Sequence, residues 1–146
     1  MGTSNRINVV SIVLVASLAV CSWMSVAATA ASNKNGASHV EAINGSKLMR
    51  VTLTQKAAQR LDIKTAKVEV DGAGIISAPY AAVIYDTIGK TWVYTNPREL
   101  VYVRHVVVVE SIKGDRAFLK EGPPVGTAVV VIGASELYGV ENGVGH

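Results

Sequence analysis

The residue types best suited to proton transfer or metal ligation are few and scattered along this 146-residue chain. His39 lies in a stretch rich in Ser, Asn, Gly and Ala, His105 in a β-type run and His146 at the C-terminus. No carboxylates stand beside them at a spacing that completes a zinc set, and the one cysteine, Cys21, falls in an apolar N-terminal run. Met49 is the one methionine outside the first thirty positions, which leaves no thioether site for copper or silver. The sequence holds no nucleophile elbow, Walker loop or dinucleotide fingerprint, and its glycines cluster between β-type runs rather than ahead of helices. Without a nucleophile–base pair the expected class is non-enzymatic, with no cofactor and no metal.

What remains is the chemistry of recognition. In a strand, Arg104 and His105 project to opposite faces. Arg98, Arg104 and Arg116 are expected at strand edges, solvated or in contact with a partner. Glu136, Leu137 and Tyr138 follow the last β-type run, where burial in a strand no longer accounts for a Leu-Tyr pair. They are expected either to dock on the domain or to contact a partner. Trp92 and Tyr94 suit a core or a sheet face better than a ligand box.

These side chains need a β scaffold to hold them. Residues 79–97 read as a hairpin: apolar, β-branched and aromatic runs flank the turn at 86–90, where Gly89 takes positive φ at little cost. Pro79 and Pro97 punctuate its ends, because proline donates no ladder hydrogen bond. Before it, 49–53 alternates as a half-buried strand, Thr54 is placed to cap a short helix at 55–61, and 62–70 alternates again with Ile63, Val68 and Val70 facing inward. Asp71-Gly72-Ala73-Gly74 is a breaker and the expected seam of the domain. After the hairpin, 99–110 reads as one long strand. Gly114 turns a second hairpin into 116–119, and Gly122, Pro123, Pro124 and Gly126 form a rigid loop leading to the apolar strand 128–132. Short strands separated by turns, with one short helix, predict a mainly β fold of β-roll or β-barrel-like form. The valine-rich runs at 106–109 and 129–132 need edge protection.

Hydrophobic residues make up 49% of the chain and charged residues 17%, enough for a core within one domain. Residues 1–30 read as a secretory signal: Arg6 supplies the basic start, an apolar run follows, and Ala28-Thr29-Ala30 is an A-x-A cleavage site. An uncleaved anchor is the alternative, since 7–31 carries no charge. Residues 31–47 are expected to form a flexible linker and 48–146 the folded domain. Without Arg6, 13 Lys and Arg face 11 Asp and Glu, and no basic run is interleaved with stacking aromatics. Nucleic-acid binding is therefore not expected.

One set of motifs is familiar: Asp86-x-x-Gly89-Lys90-Thr91-Trp92-Val93-Tyr94-x-Asn96-Pro97, Gly114-Asp115-Arg116, Gly122-Pro123-Pro124-x-Gly126-Thr127, and Gly133-Ala134-x-Glu136-Leu137-Tyr138-Gly139. It resembles the C-terminal, membrane-proximal region of periplasmic adaptor subunits (HlyD-like membrane fusion proteins) of RND-type efflux pumps. Val51-x-Leu53-Thr54-x-x-Ala57-x-x-Arg60-Leu61 is similar to a segment that precedes the lipoyl portion of such adaptors. The lipoyl, helical-hairpin and barrel domains of a complete adaptor have no counterpart between these segments. The resemblance implies a periplasmic or exported, membrane-associated accessory module that docks on the inner-membrane transporter or on a full-length adaptor. Arg98, Arg104, His105, Glu136, Leu137 and Tyr138 are its expected contacts. The alternatives are a periplasmic small-molecule or metal-binding protein reusing the fold, and a degenerate remnant.

Overall fold

The computed structural model describes residues 36–144, so the signal or anchor reading of 1–30 lies outside the described residues. The chain is mainly β. In order it forms β1 (Ser38–Ala42), β2 (Met49–Leu53), α1 (Gln55–Arg60), β3 (Lys64–Lys67), β4 (Glu69–Val70) and β5 (Ile76–Pro79). A 3-10 turn over Tyr80–Ala82 leads to β6 (Ile84–Tyr85), β7 (Thr91–Arg98), β8 (Val101–Val106), β9 (Val108–Lys113), β10 (Arg116–Glu121), β11 (Ala128–Ile132) and α2 (Ala134–Glu141). The larger sheet runs β1-β2-β8-β7-β11-β3, with β6 also on β7, and the smaller runs β4-β5-β10-β9. All pairings are antiparallel, and neither sheet closes into a barrel. Among the described residues no helix is long and apolar enough to cross a membrane.

The larger sheet is the middle of three layers. Adjacent residues in a strand point to opposite faces. Val93 and Val129 accordingly join Val68, Ala78, Ala82, Val107, Ala117 and Leu119 in an aliphatic core against the smaller sheet. Tyr94 and Val130 face the other way, into a core with Val51, Leu53, Tyr102 and the helix residues Ala57, Ala134 and Leu137. Val107 is where the chain changes sheets. Its N–H donates to the Thr91 carbonyl at 3.0 Å, while the Thr91 hydroxyl donates to the Val107 carbonyl at 2.6 Å. The run expected as one strand over 99–110 is therefore two strands, since its partners β7 and β10 belong to different sheets.

Local chemistry accounts for the remaining joints. Thr54 caps α1, its hydroxyl accepting from the Ala57 N–H at 3.2 Å. Asp86 Oδ1 accepts from the backbone N–H of Ile88 and Lys90, at 3.0 and 2.8 Å, and Gly89 adopts φ 78°. This hairpin exists, but its first arm is short: only Ile84 and Tyr85 pair with β7, opposite Trp92 and Thr91. Pro79 ends β5 in the other sheet, and Pro97 sits in β7 where the register to β8 slips.

Several expectations are corrected here. Residues 38–42, placed above in the linker, form β1, because Val40 packs against the helix-side core and Glu41 pairs across the sheet with Arg50 at 2.6 Å. Residues 71–74 are not a seam but the tight turn joining β4 to β5. Asp71 Oδ1 accepts from the N–H of Ala73 and Ile75, both at 2.9 Å, repeating the Asp86 turn almost atom for atom. Val70, expected to face inward, is 49% exposed on the two-residue edge strand β4. The structure also adds a second helix, α2, over residues expected to lie in a tail.

Candidate functional site

The residues expected as a contact surface separate into two groups with different environments. Leu137 is fully buried, on the α2 face that meets the helix-side core, so it is not a surface residue in this fold. Its burial contributes roughly 2 kcal/mol. Arg104 is likewise turned inward, with its side chain only 15% exposed. Directly opposite Tyr94 on β7, it donates from Nε and Nη2 to Glu141 Oε1 at 3.0 and 2.8 Å. The other carboxylate oxygen, Oε2, accepts from the Tyr94 hydroxyl at 2.5 Å. The Arg104 guanidinium lies 4.8 Å from the Trp92 ring and 5.4 Å from the Tyr138 ring. Burial first, and then the Glu141 carboxylate, push the Tyr94 hydroxyl far above the usual phenol range.

Trp92 extends this cluster to the hairpin turn. Its indole N–H donates to Asp86 Oδ2 at 2.9 Å, and this bond, with the backbone amides of Lys90 and Ile88, holds the Asp86 carboxyl below the usual carboxylate range. Hairpin turn, central sheet and C-terminal helix are thus tied through Asp86, Trp92, Arg104, Tyr94 and Glu141. All the carboxylate oxygens in this set are engaged, so the cluster is a clasp for α2. Arg116 is also paired, to Glu69 at 2.7 Å and to the Ser77 hydroxyl at 2.7 Å. Solvated strand-edge charges were expected at Arg104 and Arg116; both instead stand beside carboxylates that satisfy them.

Arg98, His105 and Glu136 remain exposed. They do not form one surface. His105 lies opposite Val93, on the aliphatic-core side of the larger sheet, while Glu136 belongs to α2 on the other side. Arg98 pairs with Val101, and four residues of strand put that level about 13 Å from His105. Glu136 sits in the first turn of α2, where a negative charge complements the helix dipole. Gly133 opens that helix with φ 86°, and a Cβ there would fall 2.2 Å from Ile63 Cδ1. Pro123 is buried under the loop that ends at Gly126, and Gly139 accepts from the Val144 N–H at 2.9 Å. Among the described residues no group of three or more His, Cys, Asp or Glu is arranged to hold a metal ion.

Two accessible features lie outside that contact set: an open edge at the 106–109 run expected to need protection, and a cleft that was not foreseen. The first is β9, six residues that among the described residues pair only with β10, with Val108 38% and Ile112 45% exposed. The second is an open cleft of about 410 Å³ where α1, β3 and the β7–β8 turn meet, reached by Gln59, Asn96, Glu99 and Tyr102. No local signal joins these cleft residues, which come from distant segments and meet only through the sheet order. Glu141 was missed for the same reason, its partners Arg104 and Tyr94 being 37 and 47 positions away. Comparison of the chain with protein-family models, with curated proteins and with solved structures finds no match.

Proposed function

We propose that this chain is a non-catalytic docking module of the cell envelope, an accessory subunit of an RND-type efflux system. In this reading it is exported to the periplasm and held at the membrane by its partner. It seats on the inner-membrane transporter or on a full-length adaptor. The observation that carries the reading is the open edge of β9. Among the described residues one side of its backbone has no strand neighbour, and Val108 and Ile112 present aliphatic surface beside it. An unpaired edge of this length is a template for strand addition by another polypeptide: backbone bonds supply affinity and alternate side chains supply selectivity. The motif resemblance at 86–97 and 122–139 supplies the class of partner. Of the side chains expected as contacts, Arg98, His105, Glu136 and the half-buried Tyr138 remain accessible for it.

The test is a photo-crosslinking residue placed at Ile112 in the cell, with mass spectrometry of the captured species. Capture of an RND-type transporter or a full-length adaptor is the expected result. A crosslink map from exported, folded protein that contains only this chain would overturn the reading.

A further inference from the structure

Tyr102 is 4% exposed and packs in the helix-side core, yet among the described residues its hydroxyl has no hydrogen-bond partner. Every fully buried side-chain oxygen and nitrogen among the described residues does have a partner. The Tyr102 hydroxyl must therefore reach accessible space, and the space its side chain borders is the cleft beside α1. A phenol that is buried along its ring and unpaired at its tip leaves one strong donor and acceptor unused.

The other polar groups of the cleft are biased toward acceptors. Asn96 spends its amide N–H₂ on the carbonyls of Arg98 and Val101, at 2.6 and 2.9 Å, which identifies the nitrogen and leaves Oδ1 as an acceptor without a donor among the described residues. Asp62 is neutralised by Lys64 at 3.0 Å, whereas no cation among the described residues stands within ion-pair distance of Glu99. The Glu99 charge is near enough to Tyr102 to add to the effect of burial in raising that phenol above its usual range. Ile63 and Leu100 supply apolar wall to this open cleft of about 410 Å³.

We propose that this cleft binds small organic cations. The ammonium group is held by Glu99, Asn96 Oδ1 and the Tyr102 hydroxyl, and the hydrocarbon part lies against Ile63 and Leu100. An ammonium carries three donors and no acceptor, and these three lining residues each offer an acceptor to the cleft. Anions are excluded by Glu99. The proposal is independent of the docking reading: β9 belongs to the other sheet, and the binding needs no partner protein.

The experiment is an amide chemical-shift titration of the purified, isotope-labelled protein with benzylammonium, using benzyl alcohol and benzoate as neutral and anionic counterparts. Saturable shifts at Thr65, Asn96 and Glu99 are expected, with benzylammonium at least about tenfold tighter than benzyl alcohol. Glu99→Gln, at an exposed turn position, is expected to weaken benzylammonium about fivefold. Tyr102→Phe, which keeps the ring in the core, is expected to weaken it about threefold. Benzoate shifting the same residues as strongly, no saturation, or unchanged affinity in Glu99→Gln would each overturn the proposal.

Discussion

Val93 and Tyr94 are neighbours in β7, but Val93 ends among Val, Ala and Leu side chains while Tyr94 ends beside an ion pair. The two faces of one sheet are stabilised differently. Against the smaller sheet, small aliphatic residues such as Ala78 and Ala117 let two sheets approach, and close packing does the rest. Against the helices, the short α2 has few apolar residues to bury, and the Arg104–Glu141–Tyr94 clasp fastens its last turn. A buried charge with all its bonds made adds little net stability, yet it is costly to leave half-made. The helix face should therefore be brittle to single substitutions where the aliphatic face is graded.

Arg104→Ala gives the largest expected effect. It strands the Glu141 carboxylate, 2% exposed, with Tyr94 alone, at a cost of about 3–5 kcal/mol in urea unfolding. Arg104→Met combined with Glu141→Leu should restore most of that loss, and a double variant as unstable as the single would show that the cost lies in losing the clasp's own bonds and not in the stranded charge. Leu119→Ala on the aliphatic face should cost about 2–4 kcal/mol and add to Arg104→Ala, because the two sites share no partner. Strong non-additivity would instead mean that the faces are one cooperative core.

Tyr94→Phe should cost about 1–2 kcal/mol near neutral pH by removing a donor to Glu141. It also sharpens the comparison through pH. The Tyr94 pKa is raised in the fold, so its contribution is complete below the unfolded phenol value of about 10 and is lost as pH rises above it, by up to about 1.4 kcal/mol per pH unit. Alkaline unfolding curves of the wild type and Tyr94→Phe should converge in slope if this contribution is absent, and differ if it is present. Asp86→Asn has the smallest effect. The Asp86 pKa is depressed, so its contribution is present above about pH 4 and lost as pH falls through the folded value; the variant should lack that part of the acid transition measured by Trp92 fluorescence.

Much of the scaffold is legible locally. Thr54 with its helix, the turn at Gly114, the rigid loop at 122–127 and the Asp86 turn each lie within a few residues of the groups they bond. Asp71 shows the limit of that legibility. Asp71-x-x-Gly74 and Asp86-x-x-Gly89 fold into the same turn, but only the second is flanked by aromatic and β-branched arms long enough to read as a hairpin. The first joins a two-residue strand, and two residues carry no periodicity. Leu137 and Glu141 show the same limit in α2. An eight-residue helix after an apolar strand leaves a weak pattern, and what buries these side chains comes from β2, β7 and β8.

The sequence alone was sufficient for the mainly β class, the principal turns, the α1 cap and the inward place of Trp92 and Tyr94, because each rests on alternation or on bonds between near neighbours. Only the tertiary structure decided that Val107 divides one apolar run between two sheets, that Arg104 turns inward to Glu141, and that Asn96, Glu99 and Tyr102 border a common cleft with α1. Those outcomes depend on which strands lie side by side. Strand order is set by pairings across tens of residues, a separation over which local propensity carries no information.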